Sequence, residues 1–187
     1  MSRFSSLLVA TLAALSAQDK IIDVQRSTIT IHVGKAGLFS AAGHEHWVSA
    51  PIASGRFSDS TNPRVEFKVA TAKMAVKPDP KVDAKSQAQI QKDMEELTLR
   101  PATYPEIAFQ STSVEKMAEG QWKVDGTLSL HGVTRPVSVI VKRSGESYTG
   151  HAVIKQTDFG IKPVSVAGGT IKVKNEVDIS FQIFARL

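Results

Sequence analysis

After its first seventeen positions, the sequence alternates between apolar and polar residues along much of its length. In residues 177–183 every second residue is apolar and every intervening residue is polar. Successive side chains of a β-strand point to opposite faces, so a period of two is typical of a strand with one buried face and one solvated face. The pattern predicts a long final strand.

The same alternation recurs in six further segments. Their apolar positions are Ile29, Ile31 and Val33; Val65, Phe67 and Val69; Ile107 and Phe109; Trp122, Val124, Leu128 and Leu130; Val137, Val139 and Val141; and Ala152 and Ile154. With residues 47–57 they give about eight strands, separated by Gly, Pro, Asn and Ser. The sequence therefore predicts an all-β fold, an antiparallel eight-stranded lipocalin-like barrel. A two-sheet sandwich is the alternative, because it shows the same alternation.

One segment, residues 86–97, has a helical period instead. Ile90, Met94 and Leu97 follow each other at spacings of four and three residues, which places them on one helical face. Ser86 with Gln89 forms a capping-box pattern, and Pro101 is expected to end the helix. We expect this short amphipathic helix to pack over one end or wall of the barrel. The lysine-rich residues 73–85 before it predict an exposed loop.

The N-terminus has the features of a secretory signal peptide. Arg3 supplies a positive start, residues 4–15 are apolar apart from small hydroxyl residues, and the small residues Ala14, Ser16 and Ala17 offer a cleavage site. The apolar run is shorter than the ~20 residues that a membrane-spanning helix needs. The prediction is a signal peptide at residues 1–17, a barrel domain at residues 18–187, and a periplasmic or secreted protein.

Composition excludes several functional classes. The chain contains no cysteine, which removes thiol catalysis, thiolate zinc sites and haem attachment. The net charge is +5, but the basic residues are scattered and aromatic residues are few, so no nucleic-acid partner is predicted. Peripheral contact with an anionic membrane is an alternative to a simply solvated basic surface. No nucleophile elbow, metalloprotease helix or phosphate loop is present, so we predict that the protein is not an enzyme and needs no cofactor.

Three sequence blocks resemble one known family. Residues 126–136 read GTLSLHGVTRP, residues 104–111 read YPEIAFQS, and residues 158–161 read DFGI. Together, and in this order, they are similar to the signature segments of the YceI-like family. The resemblance implies a lipocalin-like antiparallel barrel, usually exported to the bacterial periplasm, which in some members encloses a polyisoprenoid chain.

On this interpretation the protein is a carrier that encloses an apolar or amphiphilic, isoprenoid-like molecule, and it needs no catalytic group. The ligand-binding residues are expected among the apolar faces of the strands. The candidates are Val65, Phe67, Phe109, Trp122, Val124, Leu128, Ile179 and Phe181. The motif residues themselves are predicted to be structural: Gly132 and Pro136 shape a tight turn, and Arg135 is expected at the surface.

His44 and His46 suggest a second function. They lie two residues apart, so in an extended strand both imidazoles project from one face, close enough to chelate a divalent metal. A complete site needs three or four ligands, and the others would have to come from another strand. A pair of rim histidines is the simpler interpretation. A metal-binding or stress-linked protein and a structural envelope domain with a filled barrel therefore remain as alternatives.

Overall fold

A computed structural model describes residues 19–37, 44–59, 62–166 and 171–186. The predicted signal peptide lies outside these residues, and so does the hairpin turn that the Gly168-Gly169 pair predicts before the last strand. Within them the chain forms twelve β-strands and one α-helix. No helix in this part of the chain is long and apolar enough to span a bilayer.

All twelve described strands belong to one antiparallel sheet, which confirms the predicted fold class and leaves no place for two packed sheets. Eight of them have seven residues or more, β3 has four, and the other three have two residues each, which is shorter than strands usually are. The strands are β1 Lys20–Ile21, β2 Thr28–Ala36, β3 His46–Ser49, β4 Ile52–Ser58, β5 Arg64–Ala70, β6 Ala75–Val76, β7 Glu106–Ala118, β8 Gln121–Leu130, β9 Val133–Ser144, β10 Ser147–Lys155, β11 Ser165–Val166 and β12 Ile171–Phe184. Their order in the sheet is β1-β4-β5-β7-β8-β9-β10-β12-β2-β3-β6, and β11 pairs with β12.

The N-terminal segment closes the curled sheet on one side. β1 pairs with β4, and Ile22 N donates to Gly55 O at 2.9 Å. On its other side the same segment bonds to the end of β12, because Asp23 N donates to Phe184 O at 2.8 Å and Arg186 N donates to Ile21 O at 2.8 Å. This short segment therefore lies between β4 and β12 and satisfies backbone groups of both.

A bend at Pro51 completes the closure. The sequence predicted one strand over residues 47–57, but the structure has two, β3 and β4, because Pro51 has no backbone N–H to donate and lies between them. β3 pairs with β2, whereas β4 pairs with β5 and β1. The bend thus carries the chain from one edge of the sheet to the other, and the two strands together take the place of the single predicted one.

The helix differs from its prediction at both ends. α1 spans Ala84–Asp93 and begins two residues earlier than expected, because Asp83 is the cap: its Oδ1 accepts from Ser86 N at 3.0 Å. The helix continues as a π-helical turn, Met94–Leu99, in which Arg100 N donates to Glu95 O at 2.8 Å. The wider turn rotates Leu99 into the core at 6% exposure and leaves Leu97 at 59%.

The predicted loop at residues 73–85 is partly built into the fold. Ala75–Val76 form β6 against β3, and Gln91 Oε1 on α1 accepts from Val76 N at 2.8 Å. Met74 and Val82 are buried. The lysine-rich composition of the segment did not indicate that these two apolar side chains are buried, and their burial holds the segment between the sheet and the helix.

Ile22 gives a direct test of the closure. We expect Ile22→Ala to lower the free energy of unfolding by about 2–5 kcal/mol, because this fully buried side chain packs where β1, β4 and β12 meet. The neighbouring Ile21 is 55% exposed, so Ile21→Ala is the matched control. It should change the free energy of unfolding by less than about 0.5 kcal/mol. Urea unfolding measures both. A loss for Ile22→Ala as small as that expected for Ile21→Ala would show that the closure does not depend on the Ile22 side chain.

Candidate functional site

The barrel encloses an apolar cavity of about 160 Å³. Its walls come from all eight long strands, β2, β4, β5, β7, β8, β9, β10 and β12. This arrangement follows from the alternation, since every second side chain of each strand points inward. In another protein, an apolar cavity of roughly 150 Å³ stays dry and binds benzene. The cavity is therefore large enough to hold an apolar group.

The structure places every predicted lining residue at this apolar cavity. These residues are Val65, Phe67, Phe109, Trp122, Val124, Leu128, Ile179 and Phe181. Their position around the cavity is thus as expected, and their role in binding stays a prediction. The structure adds Phe57, Val114, Val137, Val139 and Ile183, most of which could have been found from the same alternation.

Two glycines shape the walls. At Gly126 an added Cβ would lie 2.5 Å from Phe109 Cζ and 2.6 Å from the backbone oxygen of Gln110. At Gly150 it would collide with the Phe181 ring. The absence of side chains here leaves room for the edges of these two aromatic rings close to the backbone of the neighbouring strands. The Phe109 ring also stacks on Phe67, with centroids 5.4 Å apart.

A polar rim borders the apolar cavity where β4 ends and β5 begins. Tyr148 Oη donates to Asp59 Oδ2 at 2.6 Å, and Lys20 Nζ donates to the same oxygen at 2.8 Å. Burial opposes ionisation of Asp59, but these two hydrogen bonds outweigh it and hold the pKa of the carboxyl below its ordinary value. Burial, together with the adjacent carboxylate, raises the pKa of Tyr148 to about 12. The rim therefore carries a fixed charge pair beside a neutral phenol.

A second cavity, of about 300 Å³, lies under α1 and is called the helix-capped cavity below. His44 and His46 both line it, together with apolar side chains of β2, β3 and β6. Burial is the main cause that lowers the pKa of His46, and the nearby His44 acts in the same direction. Among the residues that the structure describes, no group of three or more His, Asp or Glu side chains is placed to hold a metal ion. Metal binding by His44 and His46 stays a prediction with two ligands.

Two other histidines lie on the outer face of the barrel, as expected for polar strand positions. His32 Nε2 lies 3.2 Å from Glu45 Oε2, and its ring stacks on Trp47 at 4.9 Å. His151 Nε2 lies 3.2 Å from Asp178 Oδ1. These exposed pairs belong to the surface and do not contact either cavity.

The three sequence blocks meet around one turn, and the turn residues Tyr104, His131 and Arg135 line neither cavity. Arg135 Nε donates to the backbone oxygen of Asp158 at 2.9 Å, which joins the second strand of the β8–β9 hairpin to the 158–161 segment. The ring of His131, a residue with φ of 53°, packs on Tyr104 with centroids 4.0 Å apart. These contacts support the predicted structural role of the motif and the surface position of Arg135. Gly132 lies in the turn as predicted, with φ of 76°, but the prediction for Pro136 was wrong, because Pro136 lies inside β9 opposite Thr127.

The comparisons with known proteins agree with this architecture. A family model described as the YceI-like domain matches residues 21–185. A UPF0312 protein from Shewanella oneidensis is 29% identical over 174 residues, 85% of this chain and 86% of that protein. Another from Pseudomonas savastanoi is 34% identical over 91 residues, and the match spans only 45% of its length and 43% of this chain.

A solved structure shares the fold. It is a domain from Saccharophagus degradans described as polyisoprenoid-binding and implicated in plant cell wall breakdown, with a TM-score of 0.56 and 14% identity. The alignment covers 89% of this chain and 97% of that one. At this identity the likeness concerns the fold.

The polar rim can be tested by titration. The chain has two tyrosines, so a Tyr104→Phe background leaves Tyr148 as the only phenol. We expect its ultraviolet absorbance to titrate at about pH 12. Adding Asp59→Asn to this background should lower the pKa of Tyr148, because the carboxylate that opposes ionisation of the phenol is removed. Burial should still keep this pKa above the ordinary value of a tyrosine. An unchanged titration in the Asn variant would show that Asp59 does not act on Tyr148.

Proposed function

This chain belongs to the YceI-like domain family, and on that premise we propose that it is a carrier whose apolar cavity encloses an isoprenoid-like hydrocarbon chain. One observation carries the proposal: the cavity is surrounded by apolar side chains from every long strand. A hydrocarbon chain makes no hydrogen bonds, so it gains about 0.8 kcal/mol for each methylene removed from water and leaves no polar wall group unpaired.

The relationship to known proteins supports this ligand class. The Saccharophagus degradans domain with the same fold is described as binding polyisoprenoids. A filled barrel, the structural alternative, is disfavoured by the open volume in the interior. The same apolar walls favour binding over catalysis, because the titratable groups in the described lining already have partners: Tyr148 donates to Asp59, and Arg64 pairs with Asp19.

Binding can be measured with geranylgeraniol as the probe and Trp122 as the reporter. Trp47, the other tryptophan, is 45% exposed on the outer face, so a Trp47→Phe background isolates the signal of Trp122. Phe67→Gln should weaken binding about tenfold or more, because it puts an amide without a partner against the hydrocarbon chain. Lys68→Gln is the matched control, since Lys68 is the next residue of β5 and is exposed on the outer face.

Two outcomes would contradict the carrier proposal. One is equal affinity for geranylgeraniol in the folded Phe67→Gln and Lys68→Gln variants. The other is the absence of any isoprenoid or related lipid in organic extracts of natively purified protein, combined with no fluorescence response of Trp122 to the probe. Mass spectrometry of the extract also identifies the ligand directly.

Export is the second part of the proposal. We expect the protein from a bacterial periplasmic fraction to begin near Gln18, because Ala14, Ser16 and Ala17 form the predicted cleavage region. Leu8→Arg should block export, since a charge in the apolar core of a signal peptide opposes its insertion, whereas Ser5→Arg extends the positive start and should be tolerated. N-terminal sequencing and fractionation measure both. Retention of residues 1–17 on exported protein would contradict the signal peptide.

A further inference from the structure

The two cavities lie along the same strands but have different walls. On β2 the inward residue Ile29 lines the apolar cavity, whereas Val33 and Lys35 line the helix-capped cavity. On β12 Phe181 lines the first and Val173 the second. The buried Val177, which pairs with Val33, lies between them. The helix-capped cavity is therefore a separate compartment at one end of the barrel.

Lysines outnumber carboxylates in the described polar part of this compartment. Its described lining includes Lys35, Lys172, His44 and His46 but a single carboxylate, Asp93. Asp93 Oδ1 already accepts a hydrogen bond from Gln89 at 2.7 Å. A cavity with two lysines and with imidazoles that can each donate an N–H favours a negatively charged ligand.

Most of the remaining described lining is apolar. Val33, Val48 and Val76 contribute the sheet side, and Ile90 and Met94 contribute the helix side. The π-helical turn supplies Thr98 as well as Met94, so the irregular end of the helix forms part of the wall. Such turns often occur at functional sites. A free inorganic anion would leave these apolar side chains without a partner.

We propose that the helix-capped cavity binds the oxyanion of a small amphiphile, a carboxylate or phosphate group that carries a short apolar chain. The oxyanion lies near His46 and Lys172, and the chain lies between the valines of the sheet and the apolar residues of α1. This site does not require the apolar cavity to be occupied, so it goes beyond the carrier function proposed above.

Sodium hexanoate and hexanol are suitable probes because they have the same chain and differ in charge. By calorimetry, the purified protein should bind hexanoate at least about tenfold more tightly than hexanol, since a hydrogen bond from a cationic group to an oxyanion is stronger than one to a neutral hydroxyl. In amide NMR spectra, hexanoate should shift signals from residues 33–35, 46–48 and 90–94. Hexyl phosphate tests whether the larger oxyanion is preferred.

The double variant His46→Gln/Lys172→Gln should lose about tenfold in affinity for hexanoate and little for hexanol. Lys172 is exposed and His46 is half-buried, so we expect the variant to fold, which circular dichroism checks. Lys142→Gln removes an exposed charge on β9, whose residues do not line the helix-capped cavity, and serves as the control.

Equal affinities for hexanoate and hexanol would overturn the proposal, as would NMR shifts confined to residues around the apolar cavity. Hexanoate binding that appears only after zinc is added would overturn it too, in favour of a metal site. Loss of geranylgeraniol binding with an intact preference for hexanoate would remove the carrier function and leave this site in place. Loss of the preference for hexanoate with intact geranylgeraniol binding would remove only the site in the helix-capped cavity.

Discussion

The structure depends on how one sheet, whose strands differ in length, closes around a cavity that the inward side chains leave open. A backbone N–H or C=O left unpaired at a sheet edge is costly when buried, so the edges must meet a partner. Here the chain supplies it in two ways. Residues 21–23 bond to both β4 and the end of β12, and the bend at Pro51 lets one stretch of chain pair first with β2 and then with β5. Without this closure the inward apolar faces would be open to water.

The open interior depends on where the glycines and the large side chains of the barrel lie. Gly126 and Gly150 let the rings of Phe109 and Phe181 lie close to the backbone of neighbouring strands. Other large side chains pack at the ends and seams of the barrel, where Ile22 and Phe159 are almost fully buried. The interior is thus bordered by well-packed regions and remains unfilled in its middle. Protein interiors are normally close-packed, so volume kept open between rigid walls is costly unless a ligand occupies it.

Much of this was predictable from sequence, because a period of two fixes the face of each residue without knowledge of its partners. Phe67, Trp122 and Ile179 could therefore be assigned to the interior correctly. What depends on distant contacts could not be predicted. Tyr148 bonds to Asp59 across 89 residues, and neither residue has a local pattern that reveals the other. The buried residue is Leu99 and not the predicted Leu97, because the π-helical turn changes which side chain faces the core. The α-helical spacing of apolar residues in the sequence does not reveal such a turn.

The distribution of polar groups indicates where ligand selectivity arises. The family motif does not supply it, because Tyr104, His131 and Arg135 hold a turn together. The apolar cavity distinguishes hydrocarbons poorly, since one methylene changes the binding free energy by only about 0.8 kcal/mol. Discrimination between related lipids must then come from groups that are left unpaired by a wrong ligand. Among the described residues, polar groups border the cavities at two places, the rim with its Lys20–Asp59 pair and the helix-capped cavity with His46 and Lys172.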